Sequence, residues 1–171
     1  MKHFPTIHAV ARRAFIALTL MLAAAQVLAL DGKALNTYSR ETWTTRDGLP
    51  HNQVNGITQT PEGYLWFATW EGLVRYNGQE FRTYGPEDIP ALQDNGLRSV
   101  TVGSKGSLIV ATSRGGISVL RGQQWHHYGK REGLRQDETM SALEDRGGNL
   151  WIAHESEGLT RIDSKGQARH F

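Results

Sequence analysis

One seven-residue segment occurs three times along this chain, and that repetition constrains the fold more than any other feature. Gly63-Tyr64-Leu65-Trp66-Phe67-Ala68-Thr69 returns as Gly106-Ser107-Leu108-Ile109-Val110-Ala111-Thr112 and again as Gly148-Asn149-Leu150-Trp151-Ile152-Ala153-His154, at intervals of 43 and 42 residues. The match runs on past each copy. A glycine and an aliphatic follow (Gly72-Leu73, Gly116-Ile117, Gly158-Leu159), then Gly-Gln (Gly78-Gln79, Gly122-Gln123, Gly166-Gln167). An aromatic segment closes the unit, as Phe81-Arg82-Thr83-Tyr84, Trp125-His126-His127-Tyr128 and His170-Phe171. Between copies stands Gly-Leu, as Gly48-Leu49, Gly96-Leu97 and Gly133-Leu134. Strand-rich units of about 40–45 residues have the size of propeller blades.

Each unit reads as four short strands. In the first, the pattern predicts strands over 54–59, 64–69, 73–76 and 80–84. Thr60-Pro61-Glu62-Gly63 suits a type I turn, with proline and glycine at its second and fourth places. Asn77-Gly78 is a strong two-residue hairpin signal, since such a turn needs positive φ at both central residues. The second strand is apolar on both faces, as a strand between neighbouring blades must be, and Trp66 and Trp151 read as inter-blade packing. The expected fold is therefore all-β: about three β-propeller blades of four antiparallel strands, an incomplete ring, preceded by a signal peptide. The blades fall at 47–85, 86–129 and 130–171. Glu41-Thr42-Trp43-Thr44-Thr45 looks like the outer strand of a further blade, so 38–46 is expected to be an orphan strand that completes a closing blade. Propellers close with about four to eight blades. Three units would leave open faces and a chain unstable alone, because stacked repeats bury their core only against neighbours.

The N-terminus has the three parts of a secretory signal peptide. Lys2, Arg12 and Arg13 are the basic part, an apolar run follows from Ala14, and Val27-Leu28-Ala29 offers small residues at a cleavage site. Signal peptide 1–29 and linker 30–37 place the mature chain in the periplasm. Composition excludes several classes. With a formal net charge of +2 and no basic run longer than two residues, the chain lacks the charged stripe of a nucleic-acid binder. No cysteine is present, which removes disulfides, thiolate metal sites and a cysteine nucleophile.

Asp47-Gly48-Leu49-Pro50, then Val54 and Ile57, then Leu65-Trp66-Phe67-Ala68-Thr69 and Gly72-Leu73 resemble the two-component regulator propeller repeat. The third unit, from Glu144 to Ala153, is close to the same pattern, and the second is degenerate, with Ile109 in the tryptophan's place. The resemblance covers roughly 37–171. It implies a periplasmic sensor propeller of a bacterial membrane receptor whose output is a diguanylate cyclase or a histidine kinase. It also implies as partners the remaining blades of the full receptor, a homodimer within it, and an extracytoplasmic small molecule, glycan or peptide. No output-domain motif is present, so the chain itself is read as non-catalytic. The alternative is a free-standing secreted propeller, a scaffold or a glycan-active hydrolase. Asp145-Arg146-Gly147 and Trp151 resemble the Asp-box of such hydrolases, but the tryptophan stands one residue too far and Leu143 replaces a Ser or Thr.

No cofactor and no metal are expected. Of seven histidines, His3 and His8 leave with the signal peptide, and His126 and His127 point to opposite faces of one strand. His51, His154 and His170 occupy different repeat positions. Propeller connections alternate between two faces, and the turns joining first to second and third to fourth strands are short in every unit. The longer segments share the other face, and binding gathers on variable loops carried by a rigid frame. The expected ligand contacts there are His51, Trp70, Glu71, Arg114, His154 and Glu155.

Overall fold

The computed structural model describes residues 39–171; the expected signal peptide and linker lie outside the described residues. Residues Thr42–Phe171 form one compact unit. It holds three four-stranded antiparallel sheets: β1 (Val54–Gln59), β2 (Leu65–Thr69), β3 (Gly72–Tyr76) and β4 (Phe81–Tyr84); β5 (Leu97–Val102), β6 (Leu108–Thr112), β7 (Ile117–Arg121) and β8 (Gln124–Tyr128); β9 (Thr139–Glu144), β10 (Leu150–His154), β11 (Leu159–Ile162) and β12 (Ala168–His170). Strands are ordered within each sheet as in the chain. First strands of successive sheets lie side by side, β1 by β5 and β5 by β9. This is how propeller blades stack. The fold is all-β, and three such sheets do not close a ring.

The second strands of the first two sheets serve two cores with alternate residues, whereas in β10 only Leu150, Ile152 and His154 are buried and Trp151 and Ala153 are half-buried. Leu108 and Val110 join Trp66, Ala68 and Leu73 of the first sheet. Ile109 and Ala111 join Leu150 and Ile152 of the third. Leu73, Leu97, Leu108, Ile109, Ile117 and Ile152 are almost completely buried, and each such side chain contributes about 1.5–3 kcal/mol. On the outward face of the first sheet, Phe67 and Val74 pack under Leu49, with Trp43 and Phe81 alongside.

The recurrent glycine after each second strand is a steric requirement. Gly72, Gly116 and Gly158 have φ of 126°, 67° and 70°. A Cβ at these positions would strike the carbonyl oxygen of Tyr84, Tyr128 and Phe171 respectively. Both the left-handed backbone and the close approach of the fourth strand exclude a side chain.

Three expectations need correction. Asn77-Gly78 is not a two-residue hairpin turn with both residues at positive φ; only Gly78 is left-handed, at 95°. Asn77 instead accepts the N–H groups of Gln79 and Glu80 on Oδ1, both at 2.9 Å, and its side chain shapes a longer turn. Second, Gly96-Leu97 is not the counterpart of Gly48-Leu49 and Gly133-Leu134. Leu49, Leu92 and Leu134 precede the first strand of their sheets by the same interval, and all three are buried, so Leu92 fills that role while Leu97 opens β5. Third, residues 39–44 of the expected orphan strand 38–46 form no strand. A blade's outer strand needs a third strand to hydrogen-bond to, and none stands beside it among the described residues. Trp43 packs instead on Tyr76, Phe81 and Phe67, with ring centroids 4.8, 5.4 and 6.3 Å away.

The Asp-Gly-Leu motif acquires a local meaning. Asp47 accepts the Thr44 N–H at 2.7 Å and closes a 3-10 turn, Gly48 leaves it at φ 106°, and Leu49 drops into the core. Glu132, Gly133 (φ 100°) and Leu134 repeat the device before the third sheet, Glu132 accepting the Gly129 N–H at 2.8 Å.

Candidate functional site

The loops before each first strand and after each second strand meet at one face, and a cavity of about 810 Å³ lies there. All three sheets contribute. Trp70 comes from the first, Gln93, Asp94, Asn95, Gly96, Arg98, Ser113 and Arg114 from or just before the second, and Glu138 and Glu155 from the third. A second hollow of about 490 Å³ shares Gln93 and Arg114 and is lined by His127, Lys130 and Arg131.

Loop backbones are tied to one another beneath the cavity. Ser113 N–H donates to the Gly96 carbonyl at 2.7 Å, and Glu155 N–H donates to that of Glu138 at 3.1 Å. Asp94 is fixed by the Ser113 hydroxyl at 2.6 Å and the Gly96 N–H at 3.2 Å. Arg114 approaches Asp94 at 3.7 Å with its own side chain 78% exposed. Arg98 is held more firmly: its guanidinium donates to Glu155 at 3.0 Å and to the Met140 sulfur at 2.6 Å, and its Nε has no acceptor.

Arg98 projects here because of a β-bulge. Each first strand has one extra residue against its partner, Asn55 in β1, Arg98 in β5 and Met140 in β9. A bulge frees its residue from the ladder and re-aims the side chain. Asn55 uses that freedom to donate to the Leu97 carbonyl at 2.8 Å, and Arg98 reaches Met140, so the first two bulged residues each touch the next sheet.

Three of the six expected contact residues, Trp70, Arg114 and Glu155, line the cavity. The other three do not. His51 accepts the Gln53 N–H within its own loop, and Glu71 is an exposed hairpin residue whose N–H donates to Thr69 Oγ1. His154 is buried: Nε2 shares a 2.7 Å hydrogen bond with Thr160, which also meets His170 Nδ1 at 2.9 Å. Burial, followed by the charge of His170, pushes its imidazole below the ordinary value. Its position matches Thr69 and Thr112, which close the same hairpin through Gly72 and Gly116 carbonyls, so its role is structural. The sequence reading did not single out Asp94, Arg98 or Glu138. Asp94 lies between β4 and β5, and Glu138 immediately before β9. Arg98 had no signal, because a bulge is invisible to strand periodicity.

Among the described residues, no three His, Asp or Glu side chains stand close enough to hold a metal. The Asp-box resemblance resolves into a cap. Asp145 accepts the N–H groups of Gly147 and Asn149 and the Trp151 indole N–H, each at 2.9 Å, together with the Asn149 amide. These donors, the indole first, hold its carboxyl at about 2. All of them belong to one turn and its strand, which leaves the carboxylate a turn-stabilising role.

Stacked four-stranded sheets with a hollow on the long-loop face define a propeller-type frame that carries its variable chemistry at one end. Residues 48–71 match the family described as two component regulator propeller. That match takes in the start of the first sheet and the loop that leads into it. The extracellular domain of a hybrid two component system from B. thetaiotaomicron is similar at 26% identity and a TM-score of 0.69, over 77% of this chain and 20% of that one. The extracellular domain of a one component system from the same organism matches at 22% identity and a TM-score of 0.61, over 78% of this chain and 21% of that one. Virginiamycin B lyase from Staphylococcus aureus shares the fold at 17% identity and a TM-score of 0.52, over 72% of this chain and 42% of the enzyme. This chain thus spans about a fifth of the receptor domains it matches. No curated protein sequence matches it. No helix among the described residues is long and apolar enough to cross a membrane.

Proposed function

We propose that this chain is the ligand-sensing propeller portion of a bacterial signal-transduction receptor, exported to the periplasm and non-catalytic itself. The observation that carries the reading is the loop-face cavity, to which all three repeats contribute side chains around a common backbone frame. The family match and the likeness to an extracellular receptor domain support it. In this reading a small molecule, glycan or peptide enters the cavity, and the remaining blades of the receptor complete the ring. Occupancy is then passed, within a receptor homodimer, to a diguanylate cyclase or histidine kinase output. A free-standing hydrolase or scaffold draws no support from the lyase, whose likeness extends to the fold alone.

The test uses the intact receptor with its output read by a transcriptional or cyclic-nucleotide reporter. Trp70→Ala and Glu155→Ala are compared with Gln79→Ala and Gln123→Ala, which sit in short turns on the other face. The expected result is altered output from the first pair and unchanged output from the second. Unchanged output from the first pair, with the protein folded, refutes the proposal.

A further inference from the structure

The charges and the aromatic wall of the cavity carry a statement about the ligand's chemistry, one that rests on the cavity being the sensing site. The lining holds three carboxylates, Asp94, Glu138 and Glu155, against two guanidinium groups, Arg98 and Arg114. Their pairing is uneven. Arg98 and Glu155 form a 3.0 Å ion pair with Arg98 only 20% exposed. Arg114 lies 3.7 Å from Asp94 on a side chain 78% exposed, a geometry that holds a surface pair only weakly. Asp94 does not depend on it, being held by Ser113 and Gly96 while 13% exposed. Glu138 is fixed through its main chain, its carbonyl accepting from Gln136 and Glu155. The residue lines the cavity, and its carboxylate meets no hydrogen-bond or ion-pair partner among the described residues.

Trp70 supplies the wall. It is 38% exposed, and its ring rests on Gly96, where a Cβ would stand 3.3 Å from Cε3 and 2.9 Å from the Ser113 hydroxyl. Gly96 has no positive φ, so its bareness here serves the ring rather than the backbone. An indole face beside surplus carboxylate is the arrangement that attracts a cation desolvated on one side.

The geometry points to a small organic cation as the ligand, an alkylated ammonium or a guanidinium group lying over Trp70 and facing Asp94 and Glu138, with Arg114 swinging away as it enters. The unsatisfied Nε of Arg98 would welcome an anion, but an anion there meets Glu155 on Arg98 and Glu138 across the cavity.

The experiment is calorimetric titration of the folded chain at constant ionic strength with tetraethylammonium, citrate and glucose, each variant first shown to keep its β-sheet circular dichroism. Tetraethylammonium is expected to bind and citrate not. Trp70→Ala should weaken the cation about tenfold, and Gly96→Ala should weaken it with every charge retained, because the ring is displaced. Glu138→Gln should weaken it about fivefold, while Arg114→Ala should tighten it about two- to fivefold by freeing Asp94. That last sign separates the readings, since an anionic ligand would be weakened by the loss of Arg114. Citrate or glucose binding that Trp70→Ala abolishes overturns the cation and leaves the sensing site standing. Failure of all three probes to bind also overturns the cation, and unaltered receptor output from Trp70→Ala then removes the sensing site with it.

Discussion

The third sheet shows what the first one lacks, and that difference can be tested by a single substitution. Thr60 and Asp145 stand at the same place in the turn from first to second strand. Each N–H donates to a carbonyl across the turn, Thr60 to Tyr64 at 3.0 Å and Asp145 to Asn149 at 2.9 Å. Each carbonyl accepts from a left-handed glycine, Gly63 or Gly148. Six residues on stand Trp66 and Trp151. Asp145 accepts the Trp151 indole N–H. In the first sheet Thr60 Oγ1 and Trp66 Nε1 are both buried without a partner. An unsatisfied buried donor costs about 1–3 kcal/mol, and a hydrogen bond to a charged acceptor returns about 1.5–3 kcal/mol.

Thr60→Asp should therefore satisfy Trp66 Nε1 and bring a carboxylate to the Glu62 and Tyr64 N–H groups. Against this stands the cost of holding a carboxylate where Thr60 is 8% exposed. The net is a stabilisation of about 1–2 kcal/mol, or an unfolding midpoint raised by about 3–8 °C for a domain of this size. Thermal unfolding of wild type, Thr60→Asp, Trp66→Phe and the double variant closes the cycle. The gain from Thr60→Asp should fall by about 1 kcal/mol when Phe replaces Trp66, since neighbours that share a bond couple by such amounts. A lower midpoint for Thr60→Asp, or an equal gain with and without the indole, refutes the reasoning.

Two further outcomes follow from the same frame. Asp145 has its carboxyl held at about 2 against an ordinary 3.8, so the folded chain binds that proton less readily than the unfolded one. Its contribution is present above the ordinary value and is lost as pH falls through the depressed one; the midpoint difference between wild type and Asp145→Ala should shrink as pH drops from about 5 towards 2, and a constant difference would disprove the cap. Gly116→Ala combines a residue at φ 67° with a Cβ driven into the Tyr128 carbonyl, and should destabilise by about 2–5 kcal/mol from backbone strain and overpacking together. Denaturant unfolding measures it, with Gly122→Ala, whose Cβ meets nothing, as the case that carries strain without collision and must cost less.

The repeat made the frame legible, because a blade's steric demands recur wherever the blade does. The spacing of Gly72, Gly116 and Gly158 marked the same point in every unit, though not the carbonyl that crowds it, and the doubly apolar Leu65–Thr69 announced a strand between two cores. What failed to show was what a chain does off its own period. The longer segment before the second sheet moved the buried leucine to Leu92, and motif matching caught Gly96-Leu97 instead. His154 looked like a loop histidine because it replaces a threonine, yet a buried position in a hairpin decides its chemistry. Trp70, Arg114 and Glu155 were readable as exposed loop residues of the right face. Arg98 was not, since the extra residue of a bulge leaves the hydrophobic alternation around it unchanged.

That last point bears on how such a frame acquires specificity. Positions bound by the ladder, the two cores and the left-handed turns are nearly fixed in all three repeats, as Leu65, Leu108 and Leu150 are. Two sets of positions escape those demands. One is the residue after each second strand, Trp70, Ser113 and Glu155. The other is the bulged residue, Asn55, Arg98 and Met140. An indole, a hydroxyl and a carboxylate occupy the first set, and an amide, a guanidinium and a thioether the second. Neither set lies in the ladder or the two cores, although Asn55 and Arg98 reach across to the next sheet. Trp70, Ser113 and Glu155 line the cavity, and so does the bulged Arg98. Since the frame does not constrain these residues, the chemistry at that end is free to follow a ligand, and a change of ligand would be met by substitution there with the sheets left as they are.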